Sequence, residues 1–353
     1  MTRPRRVTLR DIAEELDLSV NTVSRALAGK SQVSEHTRQA VLARAQSLGY
    51  RPNSHARSLV SGRSMVLGLV ITNPSNPFYA ALVSAVERQC RSAGYSVLLQ
   101  VTEDSEHSEE EAVQQLLRFG ADGVLGVPVQ GRSDSWQHLV KAGVPVVLLS
   151  RDIPALGCDF VGIDAAQGVA DAVRAAAGAG VRRAWLFEED LPVSTVEARI
   201  DGFHRGLADA GVDRQDRLVI KVPTRRTQGA TLPWRPDDAY RMAAGLITAH
   251  HHPDLVVAGS DYFALGIHKA LRGCGLTVPE DVQLLGYGDH PFAGFLEPAL
   301  STVRLPADEV GTTAVDFLLA RIADPAAPRR SALLPPVLVA RESTRRAGVA
   351  GDG

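Results

Sequence analysis

The 353-residue sequence predicts an α/β protein in three parts. These are an N-terminal three-helix helix-turn-helix head over 1–50, a hinge helix or linker over 51–63, and two doubly wound parallel α/β subdomains over 64–353. Three observations predict it. The first 63 residues hold eleven Arg and Lys against five Asp and Glu, although the whole chain has a formal net charge of −2, so positive charge is concentrated in a small head suited to a polyanion. That head breaks into three short helical patterns, each with a capping residue. From Met65 onward, apolar runs of strand length alternate with helical segments, which gives parallel sheets covered on both faces.

In the head, Thr8 can cap "LRDIAEEL", whose Leu9, Ile12, Ala13 and Leu16 share one face. Ser19 can cap "VNTVSRAL", and Ala28-Gly29 can end it. Ser34 can cap "EHTRQAVLARAQSLG", with Val41, Leu42, Ala45 and Leu48 as its apolar stripe and Gly49 as its stop. Only Asp17-Leu18 separates the first two helices, a connection short enough to force a steep crossing. The second helix has two faces, one of Val23, Ala26 and Leu27, the other of Val20, Asn21, Thr22, Ser24 and Arg25. In "YRPNSHARSLVSGR", Pro52 breaks the preceding structure and Asn53 can cap a further short helix, marginal alone and ordered only against a partner.

In the body, "MVLGLVIT", "SVLLQV", "GVLGV" and "VPVVLLS" form a first set of strands. "DFVGI", "RAWLFE", "DRLVIK", "LVVAGS" and "VQLLGY" form a second. The expected subdomains are about 64–162 with 298–326, and about 163–297 with 327–345. A ligand cleft is expected where the strand ends meet. With 45% hydrophobic and 22% charged residues, the composition excludes a disordered chain. The start "MTRPRRVTLRD" lacks a following apolar stretch and no run of about 18 apolar residues occurs, so a cytoplasmic location without membrane contact is expected. Cys90, Cys158 and Cys274 have no metal or disulfide spacing. "AHHHPD" at 249–254 reads as a solvated helix end, so no metal and no cofactor are expected. The run "EDSEHSEEE" suits a helix start. No nucleophile elbow, phosphate loop or dinucleotide fingerprint appears, which argues against an enzyme.

In order along nearly the whole chain, "VTLRDIAEELDLSVNTVSRALAG", "VSEHTRQAVLARAQSLGYRPN", "ARSLVSGRS", "NPFYAALVSAVE", "SDYFALGIHKAL", "VPEDVQLLGYGD", "LSTVR" and "VLVARESTR" resemble the LacI/GalR family of bacterial transcriptional regulators. The resemblance implies a homodimeric repressor that binds pseudo-palindromic double-stranded operator DNA. It also implies a body like periplasmic sugar-binding proteins, with a small-molecule effector between its lobes: a sugar, sugar derivative or related metabolite. Activation, or corepressor-dependent regulation of nucleoside or other metabolism, is the alternative, since the sequence does not choose the sign of the effector.

The resemblance places Val20, Asn21 and Arg25 at base edges, a chemistry those side chains can perform. It makes Thr8, Ser19, Thr22, Ser24, Ser34, Thr37, Tyr50 and Asn53 backbone anchors. A merely solvated polar face is the alternative. Arg57 and Leu59 fall in the minor-groove hinge, with Leu59 as a wedge between base steps or else as plain packing. Asp17 stands where relatives often have glycine, which Asp tolerates in a left-handed turn.

The effector candidates are Asn73, Phe78, Tyr79, Ser150, Arg151, Arg199, Trp234, Ser260, Asp261 and Asp289. Arg199 has the strongest claim, against a surface helix arginine. Trp234 either enters the cleft or belongs to a surface excursion. Ser150, Ser260 and Gly288 replace residues that often give relatives carboxylates or an amide. That loss shifts the expectation away from a simple hexose toward an anionic, bulkier or glycosidic ligand meeting Arg151 and Arg199.

Overall fold

Contacts divide the chain into a head, Met1–Ser64, and a body, Met65–Gly353. The computed structural model describes residues 7–27, 32–50, 63–130, 134–178, 180–224, 234–248 and 251–345. The expectations for Asn53, Arg57 and Leu59 lie outside the described residues.

The head is three helices: α1 (Leu9–Leu16), α2 (Val20–Leu27) and α3 (Glu35–Ser47). Thr8 starts α1 with a reciprocal cap, its Oγ1 accepting the Asp11 N–H while its own N–H donates to the Asp11 carboxylate at 2.7 Å. Asp17 ends α1 at φ 51°, the left-handed conformation that the tight connection to α2 demands. Ile12, Ala13, Val23, Ala26, Val41 and Ala45 form the buried core of the head. Leu42, expected in that stripe, is 43% exposed, because Val41 and Ala45 already fill the inner face of α3.

The first lobe of the body runs β1 (Val66–Ile71), α4 (Pro77–Ser92), β2 (Ser96–Val101), α5 (Glu106–Arg118), β3 (Gly123–Gly126), α6 (Asp134–Lys141), β4 (Val146–Leu149) and β5 (Asp159–Ile163). The second runs α7 (Ala165–Ala177), β6 (Ala184–Glu189), α8 (Ser194–Asp209), β7 (Arg217–Val222), α9 (Pro236–Leu246), β8 (Leu255–Ala258), α10 (Asp261–Gly273), β9 (Gln283–Gly288) and β10 (Ser301–Arg304). The chain then returns to the first lobe for α11 (Ala307–Ala323) and β11 (Ser331–Leu334), and ends in the second with β12 (Val337–Val339). The first sheet has the order β11-β5-β4-β3-β1-β2, all parallel. The second has the order β12-β10-β9-β8-β6-β7, parallel except for the antiparallel edge strand β12.

Two expectations about the division of the body are corrected. "DFVGI" is β5 and belongs to the first sheet, where Val147 pairs with Asp159. The segments 298–326 and 327–345 do not divide between the lobes as expected. Ser301 of β10 pairs with Leu285 in the second sheet, whereas Ser331 of β11 pairs with Phe160 in the first. Three crossings therefore connect the lobes, after β5, after β10 and between β11 and β12.

Each sheet is buried on both faces, which is why its strands read as continuous apolar runs. In the second lobe α7 and α8 pack backbone to backbone. A Cβ on Gly202 or Gly206 would come within 2.4 or 2.5 Å of the carbonyl oxygens of Ala166 and Ala170.

Candidate functional site

The outer face of α2 is the head's candidate nucleic-acid surface. Val23 and Ala26 are buried, while Val20 is 41% exposed and Asn21, Ser24 and Arg25 are exposed. Ser19 Oγ accepts the Thr22 N–H at 3.0 Å and lies 2.8 Å from Thr22 Oγ1. Ser34 repeats the arrangement with Thr37, at 3.2 and 2.8 Å. These hydroxyls stand at helix N-termini, where backbone N–H groups and the helix dipole favour anions such as phosphate. Thr8 caps α1 in the same way, and half-buried Tyr50 packs against the head core.

In the body, the carboxyl ends of both sheets face a cleft, the usual ligand position in open α/β sheets. Ile163, Ala165 and Leu305, which flank two of the lobe crossings, form part of its wall. From the first lobe, Asn73 and Asn76 shape the entry to α4: Asn73 Oδ1 accepts the Ser75 N–H, and Asn76 Oδ1 caps the helix through Phe78 N–H. Phe78 and Tyr79 follow, packed edge to face at 5.3 Å. At the end of β4, Ser150 adopts φ 58° and leaves its buried Oγ without a hydrogen-bond partner. Arg151 is 4% exposed and ion-paired at 2.5 Å with Asp104.

From the second lobe, Arg199 on α8 reaches the end of β6. Its Nε and Nη2 donate to Glu188 at 2.8 and 2.7 Å, and Nη2 also donates to Glu189 at 3.2 Å. The guanidinium lies 5.0 Å from the Tyr287 ring centroid. Burial pushes the Glu189 carboxyl up, against Arg199. Burial also disfavours the charged guanidinium, but Glu188 and Glu189 outweigh it and Arg199 is raised above its ordinary value. Trp234 lines the cleft and stacks on Tyr262 at 6.0 Å with planes 14° apart. Across the opening, the Ser194 N–H at the start of α8 donates to Gln130 Oε1 of the first lobe at 2.7 Å.

Asn73, Phe78, Tyr79, Ser150, Arg151, Arg199, Trp234 and Ser260 are thus brought together. Ser260 also caps α10, its Oγ accepting the Tyr262 N–H at 3.3 Å. The expectation that Asp261 and Asp289 face the ligand is not met. Asp261 is fully buried behind the cleft, accepting from Thr302 Oγ1 at 2.6 Å and from the His290 N–H at 2.8 Å. Asp289 turns away into ion pairs with Arg304 at 2.6 Å and Arg341 at 2.7 Å. These outweigh burial and hold its carboxyl below the usual range. An anionic ligand also loses its motive, since Arg151 and Arg199 already have carboxylate partners.

Glu188, Glu189, Tyr287 and His290 were not anticipated. The signal for the first two was available: two consecutive carboxylates close the apolar run "RAWLF" at the carboxyl end of a parallel strand, the usual ligand position in such sheets. Among the described residues no group of three or more His, Cys, Asp or Glu is arranged to hold a metal, and no helix is long and apolar enough to cross a membrane.

The sequence profile described as "Bacterial regulatory proteins, lacI family" matches residues 8–53, and that described as "Periplasmic binding protein-like domain" matches residues 173–344. The ribose operon repressor of Bacillus subtilis (strain 168) is 31% identical over 340 residues, covering 96% of this chain and 99% of the relative. The crystal structure of the lac repressor dimer bound to operator and the anti-inducer ONPF matches with a TM-score of 0.84 at 24% identity, covering 96% of this chain and 99% of that one. The transcriptional regulator CelR–cellobiose complex matches with a TM-score of 0.66 at 27% identity, covering 96% and 100%.

Proposed function

Because the chain belongs to the lacI family of bacterial regulatory proteins, we propose that it is a cytoplasmic homodimeric repressor whose grip on a pseudo-palindromic operator is set by a neutral, hydroxyl-rich small molecule in the cleft. It carries no catalytic role in this reading. The observation that carries the ligand class is the state of the two cleft arginines. Arg199 is held by Glu188 and Glu189, and Arg151 by Asp104, so neither is an unclaimed site for an anion. What the cleft offers instead is aromatic faces, from Phe78, Tyr79, Trp234 and Tyr287, and neutral hydrogen-bonding groups such as Thr72 and Ser150. Sugar rings and nucleosides fit that combination of apolar face and polar edge. The cellobiose bound by the similar regulator is a ligand of this kind.

On the DNA side, Val20, Asn21 and Arg25 are exposed on one face of α2 and read base edges in the major groove. Thr8, Ser19, Thr22, Ser24, Ser34, Thr37, Tyr50 and Asn53 set register through phosphates. Arg57 and Leu59 act in the minor groove, paired with their twins in the second protomer. A ligand that favours one arrangement of the lobes over another shifts the DNA-binding equilibrium by its differential affinity, typically about 1–3 kcal/mol.

The test is a gel-shift titration. The full chain is bound to DNA from upstream of its own and neighbouring genes, then challenged with neutral sugars, nucleosides and sugar acids. Release or tightening by a neutral compound is expected. A response confined to anionic compounds, or no binding to any upstream DNA, refutes the proposal.

A further inference from the structure

One wall of the cleft is built around His290. Its backbone N–H donates to Asp261 Oδ2 at 2.8 Å, which fixes the turn after β9 to the start of α10. Its ring is packed by Tyr262, Phe292 and Trp234, with centroids 5.0, 5.9 and 6.2 Å away. The residue is 5% exposed and lines the cleft, yet Nε2 has no hydrogen-bond partner. Buried polar atoms are nearly always paired in folded proteins, so an orphan on a side chain that lines a cavity points to a group that enters the cavity.

Gly288 explains how the ring comes to be there. A Cβ at that position would stand 2.5 Å from His290 Cε1 and 2.9 Å from Nδ1, so the imidazole fills the volume a residue-288 side chain would take. Two further residues that line the cleft from the first lobe, Thr72 and Ser150, also carry a buried hydroxyl without a hydrogen-bond partner. Burial pushes the imidazole down toward its neutral form, against Asp261 and Asp289. A neutral imidazole nitrogen can donate or accept according to tautomer, and a hydroxyl is a matching partner in both cases.

We infer that His290 is a specificity-determining residue of the effector cleft, its Nε2 hydrogen-bonding a hydroxyl of the neutral ligand where a side chain at position 288 would otherwise stand. The inference rests on the cleft being the effector site. Two variants separate the nitrogen from the ring. His290→Phe keeps an aromatic ring among Tyr262, Phe292 and Trp234 but has no nitrogen, and His290→Gln carries an amide to the region of Nε2. If the Phe variant fails to fold, His290→Asn, whose amide stops short of that region, replaces it.

The full chain is titrated calorimetrically with D-ribose, D-glucose, D-galactose and cellobiose, and with D-glucuronate and ribose 5-phosphate as anionic comparators. Melting temperature is followed as a check on folding. We expect a neutral sugar to bind the wild type. The Phe variant should bind it about ten-fold to a hundred-fold more weakly at an unchanged melting temperature, and the Gln variant should recover most of the loss. Undiminished affinity in the Phe variant, or no binding by any of the neutral sugars, overturns the inference. If the Phe variant keeps its affinity while the sugar still shifts DNA binding, the role of His290 falls and the proposed function stands. If none of the six compounds binds, the role of His290 falls, and the proposed function falls with it only if the gel-shift titration with neutral sugars and nucleosides fails as well.

Discussion

Arg199→Met is the most demanding test of the cleft's electrostatics. The guanidinium makes two bonds to Glu188 and one to Glu189, and the Glu188 side chain is 0% exposed. Removing Arg199 leaves that carboxylate buried, with the Glu189 N–H at 2.8 Å still donating to it. Stripping one partner from a buried ion pair costs about 3–5 kcal/mol, whereas removing a surface arginine costs about 0–1 kcal/mol. For a body of this size each kcal/mol moves the melting temperature by roughly 2–4 °C, so the variant should melt roughly 6–20 °C below the wild type. Differential scanning calorimetry of the full chain without DNA reads this directly. The double variant Glu188→Met/Arg199→Met removes both charges and replaces them with apolar volume, so it should regain more than half of the loss. The reasoning is refuted if Arg199→Met melts within about 2 °C of the wild type, or if the double variant is no more stable than the single one.

Other outcomes follow from the same description. Burial raises the Glu109 carboxyl against the Val129 N–H bond, so the folded state holds that proton more tightly than the unfolded chain. The resulting stability is complete below the ordinary value of 4.5 and is lost as pH rises through the raised folded value, so Glu109→Gln should gain on the wild type in urea titrations as pH rises above the ordinary value. At Asp159, burial raises the carboxyl but Arg321 and Arg330 outweigh it. Asp159→Asn should therefore lower the urea midpoint near neutral pH, and the gap should close as pH falls through the depressed folded value. Gly206→Ala forces a methyl onto the Ala170 carbonyl and should destabilise the second lobe by about 1–3 kcal/mol, read as a lower urea midpoint at unchanged slope. Arg25→Ala should weaken binding to the selected operator by about 1–3 kcal/mol in gel shifts while leaving non-specific DNA affinity nearly unchanged. Leu59→Ala should lower operator affinity and leave calorimetric effector binding as it was.

The head was the most legible part of the chain. Thr8, Ser19 and Ser34 announce three helix starts, and caps are local chemistry that needs no tertiary knowledge. The body's alternation of strand and helix was equally plain, but its division was not. β10, β11 and β12 are four, four and three residues long, too short to show a period, and only pairing tells which sheet each joins. Arg199 was found because a motif marks it, while Glu188 and Glu189 went unread, since their role depends on a helix folding back over the end of β6. Asp261 and Asp289 were misplaced for a related reason. Sequence position puts them at strand ends, but which way a short side chain turns there is settled by Thr302, Arg304 and Arg341, the nearest of them more than ten residues downstream.

The three crossings between the lobes set the mechanics of the body. Ile163, Ala165 and Leu305 place the cleft beside two of them, so a bound molecule sits close to the pivot and works on a short arm. The long arm runs down β1 to Val66, about 20 Å away at the rise of a β-strand, where the chain arrives from the basic head. A turn of about 15° at the pivot, the size of a known subunit rotation in allosteric proteins, would carry that far end through roughly 5 Å. Contacts at the cleft need shift by only a fraction of that. A body that rotates in this way would be geared: it would convert the small adjustments that hydroxyl groups can impose into a displacement comparable to one turn of a helix.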